Sequence, residues 1–255
     1  MFTSLLCLLP GGSGQVWGAE LAASPSCGPA IVAPTPRTPL PAGVSGRVSF
    51  YAALYDARSG QVIRELALGH ANELYPLASL FKPLVVRAAL EDVDAGRLSL
   101  TTGLATTPAT RSIEAFPPGV NSVQRRVRRA IVQSDNTASD LLQLAHGPGQ
   151  LAREVLARSP CTAVLLTTKA WWAAQAGLAP GVLGRDRAAG ARRYARLPFE
   201  ERVAAASQLI AASRRVTGPG LEAALEHFFH GPEYRPELEL NLQNTGTARA
   251  YTELM

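Results

Sequence analysis

Ser79 and Lys82, three residues apart in Leu77-Ala78-Ser79-Leu80-Phe81-Lys82-Pro83, are the residues here best suited to chemistry. Lys82 is one of two lysines, with Lys169, in a chain whose Lys and Arg together number 25. Arginine cannot be deprotonated in a protein, whereas a buried lysine can be pushed toward neutrality and accept a proton. If a basic residue of this chain takes a proton from a hydroxyl, it is Lys82, and the hydroxyl is that of Ser79. Positions i and i+3 share a helix face, so the two groups can meet. Pro83 is tolerated only in a first helical turn, which starts the helix at Ser79 or just before it. There the hydroxyl lies beside unpaired backbone N–H groups and the positive end of the helix dipole, both of which stabilise a developing oxyanion. Taken alone, S-x-x-K reads more readily as a serine that caps a helix.

A second motif strengthens the first. Ser134-Asp135-Asn136 lies 55 residues after Ser79, in a turn between two helical segments. Ser, Asp and Asn are preferred helix caps, so Asp135 can hold the turn while Ser134 and Asn136 point into a cleft.

The elements that must carry these residues are legible in outline. Gly46 to Asp56 has strand composition, Ala57-Arg58-Ser59-Gly60 reads as a turn, and Gln61 to Leu68 is a second strand: a β-hairpin. From Ser79 the periodicity becomes helical, with Leu84, Val85, Ala88, Ala89 and Val93 on one face and Gly96 as the stop. Helices are expected near 121–133, 136–146, 148–158, 199–214 and 219–229. In Arg125-Arg126-Val127-Arg128-Arg129 the arginines read as a solvated face, with Val127, Ala130 and Ile131 on the apolar one.

With these residues in place, the chain resembles the class A β-lactamase-related serine hydrolases, whose signature pairs S-x-x-K with S-D-N and K-T-G. The likeness runs through about residues 46–160: the hairpin, Leu74-Tyr75-Pro76-Leu77-Ala78 before S-x-x-K, Val93 to Leu100 after the helix, and Ile131-Val132-Gln133 before S-D-N-T-A-x-x-L-L. The resemblance implies an α+β fold of the α/β sandwich type. An antiparallel sheet would be flanked by helices and joined to an all-helical lobe. Residues 1–44 would be a signal-like segment and linker, and 45–255 the catalytic domain, with the hairpin at 45–70 and the helical lobe at 78–230. It implies that Ser79 is the acylated nucleophile and Lys82 its activating base. Ser134 would relay a proton to the leaving nitrogen, while Asn136 holds Lys82 and binds the substrate's amide side chain. The implied reaction is serine acyl transfer on a β-lactam or a D-alanyl peptide of peptidoglycan, without a cofactor.

Two departures qualify it. Lactam-hydrolysing members carry a Glu on a loop after S-D-N that activates the deacylating water. Here Thr167 to Gly177 holds no carboxylate, and the nearest, Glu154 and Asp186, fall outside it. Trp171 and Trp172 read as wall and core. Asn244-Thr245-Gly246-Thr247 could stand in for K-T-G on a strand, or open a capped helix over 244–255. We take the second placement, which leaves the helix cut short at Met255 and the C-terminal strands missing. Deacylation is therefore expected to be weak, and the alternative is an inactive truncated remnant or a penicillin-binding module.

Bulk properties exclude some other classes. A net charge of +5 comes with no nucleic-acid recognition motif. Cys7, Cys27 and Cys161 show no C-x-x-C spacing, so neither a zinc site nor a disulfide framework is indicated. His227 and His230, three apart, lack a third ligand, and no metal site is expected. No run approaches the roughly 20 apolar residues of a membrane span. The apolar run Leu5-Leu6-Cys7-Leu8-Leu9 and the Pro-rich stretch from Pro25 to Pro41 resemble a secretory signal and linker, although no Lys or Arg precedes Arg37. A misplaced start codon or a non-secreted tail would also fit; the expectation is a periplasmic or extracellular protein.

Overall fold

The computed structural model describes residues 48–69, 71–114, 117–232 and 234–255; the signal-like segment and its linker lie outside the described residues. The elements run β1 (Ser49–Tyr55), β2 (Val62–Gly69), β3 (Tyr75–Pro76), a 3₁₀ turn (Ala78–Phe81), α1 (Lys82–Asp94), β4 (Gly103–Thr106), β5 (Gly119–Ser122), α2 (Val123–Val132) and α3 (Asn136–His146). Next come α4 (Pro148–Arg158), β6 (Thr162–Ala163), α5 (Thr168–Gln175), α6 (Pro180–Leu183), α7 (Arg187–Arg196), α8 (Phe199–Ser213), α9 (Gly218–His230), α10 (Pro236–Leu242), β7 (Thr245–Gly246) and α11 (Ala248–Leu254). The fold is α+β: mostly helical, with small antiparallel sheets β1-β2, β3-β7-β6 and β4-β5. Among the described residues no helix is long and apolar enough to cross a membrane, and no group of His, Cys, Asp or Glu could hold a metal ion.

Helix α1 is the axis of the core. Of the five positions picked out by periodicity, Leu84, Val85, Ala88 and Ala89 are buried and Val93 is half-buried at the edge of the core. The buried four pack with Ala138 and Leu142 of α3, Leu151 and Val155 of α4, and Trp171 of α5. Gly96, at φ +71°, ends the helix in the left-handed region that glycine enters without penalty. Asp92 ties the end of α1 to its neighbours, since its Oδ2 meets His146 Nδ1 at 2.8 Å while His146 Nε2 meets Glu154 Oε2 at 3.0 Å. Glu154 is thus engaged in a structural bridge, and Asp186 caps α7 by accepting from Ala189 N–H at 3.0 Å.

The structure corrects the reading of the arginine run. Arg126 is fully buried, whereas Ile131, expected on the apolar face, is exposed. The β4-β5 hairpin lies over that part of α2, and Arg126 Nη2 donates to Leu104 O at 3.1 Å and to Thr106 Oγ1 at 2.6 Å. Nη2 is satisfied in this way, while Nε and Nη1 are buried without a hydrogen-bond partner, so the guanidinium is only partly compensated for leaving water. A second correction concerns the cysteines: Cys161 is disulfide-bonded, which the spacing did not announce.

Candidate functional site

Three non-glycine residues among those described hold positive φ: Ala78 at 45°, Glu114 at 69° and Ser134 at 54°. Such conformations cost of order 1–3 kcal/mol each and persist only where the surroundings impose them. All three line one place. Ala78 precedes Ser79, Ser134 belongs to S-D-N, and Glu114 reaches Asn136.

The scaffold is local. The 3₁₀ turn presents Ser79 at the surface just before Pro83 in the first turn of α1, while Lys82 is buried. Asp135 caps α3 by accepting from Ala138 N–H at 2.9 Å, and its Oδ2 accepts from Arg129 Nε at 2.6 Å. With the turn fixed by Asp135, its two neighbours face Lys82.

The structure brings the four predicted residues together. Lys82 Nζ donates to Ser134 Oγ at 2.9 Å, to Asn136 Oδ1 at 2.7 Å, and to the Ser134 carbonyl oxygen. Ser134 Oγ donates to Ser79 Oγ at 2.9 Å. The path from Ser79 to the lysine therefore runs through the Ser134 hydroxyl. Burial pushes the Lys82 ammonium down to about 8, against the opposing pull of Asp140, Glu114 and Asp135. Near neutral pH a useful minority of the lysine is free base, as a proton acceptor requires.

Sequence reasoning missed three residues at this centre. Glu114 Oε2 accepts from Asn136 Nδ2 at 2.9 Å, from a loop that carries no motif. Asp140, wholly buried one helical turn after Asn136, accepts from Thr168 N–H at 2.7 Å and Lys169 N–H at 2.9 Å, and so anchors α5. Lys169, also buried, donates to Pro108 O at 3.1 Å and Ala109 O at 2.9 Å. The scarcity that singled out Lys82 applies equally to Lys169 and is the signal that could have found it. Trp171, expected as wall or core, is buried edge-on against Phe81 with ring centroids 5.4 Å apart, bracing the turn that carries Ser79. The groove of about 490 Å³ between β1 and α11 is lined by Phe50, Tyr75, Leu80 and Tyr251 rather than by the four residues.

Asn244 does not stand at the cluster as a K-T-G substitute. Its Oδ1 accepts from Leu165 and Leu166 N–H at 2.8 and 3.0 Å, its backbone oxygen accepts from Leu77 N–H at 2.8 Å, and Thr247 caps α11. It stitches the segment before Ser79 to the one before α5.

The buried charges set a pH dependence of stability. Burial lowers Lys82 and Lys169 each to about 8, and raises Asp140 to about 6. An unfolded chain holds its lysine protons up to about 10.4, so between about 8 and that value it binds more protons than the folded one and stability rises with pH. For Asp140 the sign is reversed, and its contribution is lost as pH rises from about 4 to 6. Thermal melts should therefore show a minimum near pH 6–8 and a rise of several degrees by pH 9.5, at roughly 2–4 °C per kcal/mol. Lys169→Met should reduce that rise. A midpoint that falls steadily from pH 7 to 9.5 would contradict the placement of the two lysines.

A family model described as the β-lactamase enzyme family matches residues 45–154, which contain all four residues. Over that stretch the chain is similar to the β-lactamases. It is 33% identical to a β-lactamase of Kitasatospora aureofaciens over 142 residues, covering 49% of this chain and 45% of that one. It is 31% identical to a β-lactamase of Streptomyces fradiae over 140 residues, covering 49% and 44%. It thus spans less than half the length of these curated relatives. Among solved structures, a β-lactamase from Burkholderia vietnamiensis superposes with a TM-score of 0.37 at 30% identity, covering 44% of this chain and 43% of that one.

Proposed function

We propose that this β-lactamase relative is a serine acyl-transfer hydrolase whose Ser79 opens a β-lactam or a D-alanyl peptide amide through an acyl-enzyme. The observation that carries the proposal is the continuous path Ser79 Oγ–Ser134 Oγ–Lys82 Nζ, with links of 2.9 Å and 2.9 Å. Ser79 Oγ attacks the carbonyl as its proton passes to Ser134 Oγ, and the Ser134 proton passes to neutral Lys82. Collapse of the tetrahedral intermediate breaks the C–N bond. The lysine proton then returns through Ser134 to the leaving nitrogen, which leaves an ester on Ser79. Asn136 directs its Oδ1 at Lys82 and keeps a second N–H for a substrate carbonyl.

One observation favours a penicillin-binding outcome, in which the ester persists. The segment around α5, where a water-activating carboxylate would be expected, places Lys169 onto backbone carbonyls instead.

Fluorescent penicillin tests the reading. The folded chain should take up one label, which peptide mapping places on Ser79. The labelling rate should rise about tenfold per pH unit below pH 8 and level off above it, as neutral Lys82 accumulates. No label on a folded chain at pH 8.5, or a label elsewhere, sinks the proposal.

A further inference from the structure

Asn136 sits between two groups of opposite kind. An ammonium only donates hydrogen bonds and a carboxylate only accepts them. With Lys82 Nζ 2.7 Å from its oxygen and Glu114 Oε2 2.9 Å from its nitrogen, the amide has a single orientation that satisfies both. Reversing it would set two donors, and two acceptors, against each other. The arrangement changes when Lys82 gives up its charge, because a neutral amine also accepts and no longer dictates which end of the amide it meets. At that stage Glu114 alone fixes Asn136.

Glu114 is itself held in place. Its φ of +69° is a conformation a glutamate rarely adopts, and its backbone N–H donates to Glu222 Oε1 of α9 at 3.2 Å. Strain at a residue tied at both ends, beside two other strained residues of the same cluster, points to an imposed position. We propose that Glu114 is a positioning residue: it locks the Asn136 amide toward Lys82 and sets a carboxylate beside the cluster. The inference rests on the acyl-transfer reading for its kinetic part alone.

The electrostatic surroundings of Lys82 make the charge measurable. Asp140 and Asp135 of the α3 region and Glu114 of the preceding loop face it. Asp135 is paired with Arg129, and Asp140 is shared with Lys169.

Because the chain has two lysines, ¹³C-lysine NMR titration of the whole protein resolves Lys82, with Lys169→Arg giving the assignment. In Glu114→Gln the charge is lost and an acceptor is kept. The Lys82 midpoint should fall by about half a pH unit or more, with that of Lys169 unmoved, and penicillin labelling above the midpoint should stay within about threefold of the parent. In Glu114→Ala the midpoint should fall likewise and labelling should drop about tenfold or more as Asn136 loses its hold. A folded Glu114→Ala chain with an unchanged Lys82 midpoint overturns the proposal, as does one that labels at the parental rate. If the parent itself takes no label, the acyl-transfer reading falls, and the Lys82 midpoint by itself still decides the role of Glu114.

Discussion

Lys82→Arg should abolish acylation of Ser79 as completely as Ser79→Ala does. Arginine preserves the positive charge, so if Lys82 served only to stabilise a developing oxyanion or to hold Ser134 and Asn136, the variant would retain much of its rate. It should not, because arginine cannot lose its proton within the pH range of a folded protein. Without an acceptor, the Ser79 hydroxyl must shed its proton to water, and removal of general-base catalysis costs about 10²–10⁴-fold. Geometry adds to the loss. Lys82 Nζ fits among three oxygens, those of the Ser134 side chain, the Ser134 backbone and the Asn136 amide, with the side-chain contacts at 2.9 and 2.7 Å. A planar guanidinium at a buried site cannot occupy that point without displacing Ser134 from Ser79. The measurement is the rate of fluorescent-penicillin labelling at pH 8.5, with circular dichroism to confirm folding. A Lys82→Arg chain that labels within tenfold of the parent would remove Lys82 from the proton path.

Deacylation should show the second large effect. Hydrolysis of a Ser79 ester needs a water molecule and a group to take its proton. Among the described residues the carboxylate bonded to the cluster is Glu114, and its Oε2 is engaged with Asn136. Asp140 is buried and spends both oxygens on the N-terminus of α5, and Asp135 is buried and accepts from Ala138 N–H and Arg129 Nε. The remaining base is Lys82, which has given its proton to the leaving nitrogen by that stage but is engaged with Ser134 and Asn136. Deacylation is therefore expected to be slower than acylation by a factor of order 10²–10⁴. A chromogenic cephalosporin should give a burst of about one equivalent and then negligible turnover, and mass spectrometry should find the adduct intact after hours. Sustained turnover that disappears in Ser79→Ala would overturn this expectation, and Glu114→Gln would be the first variant to examine as a lost water-activating base.

Much of this architecture was legible in residue order because it rests on interactions over short sequence distances. The periodicity of Leu84, Val85, Ala88 and Ala89 marked the buried face of α1, and Pro83 placed the start of helical structure near Ser79, where a 3₁₀ turn over Ala78–Phe81 leads into α1 at Lys82. Helices expected near 136–146 and 148–158 appear as Asn136–His146 and Pro148–Arg158. Ser79 and Lys82 share a turn, and Ser134 and Asn136 flank a cap, so each pair was readable from local rules. That the two pairs meet, 55 residues apart, was carried by resemblance; the hydrogen bond between Ser134 and Ser79 displays it. Local rules failed where a distant element changed the environment of a side chain. Arg126 belongs to a run that reads as solvated, yet the β4-β5 hairpin covers it and provides acceptors. Nothing near Glu114 in the chain marks it, because its partner Asn136 lies 22 residues on and its backbone is held by α9, 108 residues on. Burial of Lys82 and Lys169, which moves both toward neutrality, likewise depends on distant segments packing against them, α3 on Lys82 and the loop at Pro108 and Ala109 on Lys169. Residue types and spacing determine which groups can exchange a proton; desolvation and the pairing of distant charges, which arise only when those elements pack, determine at what pH they do so.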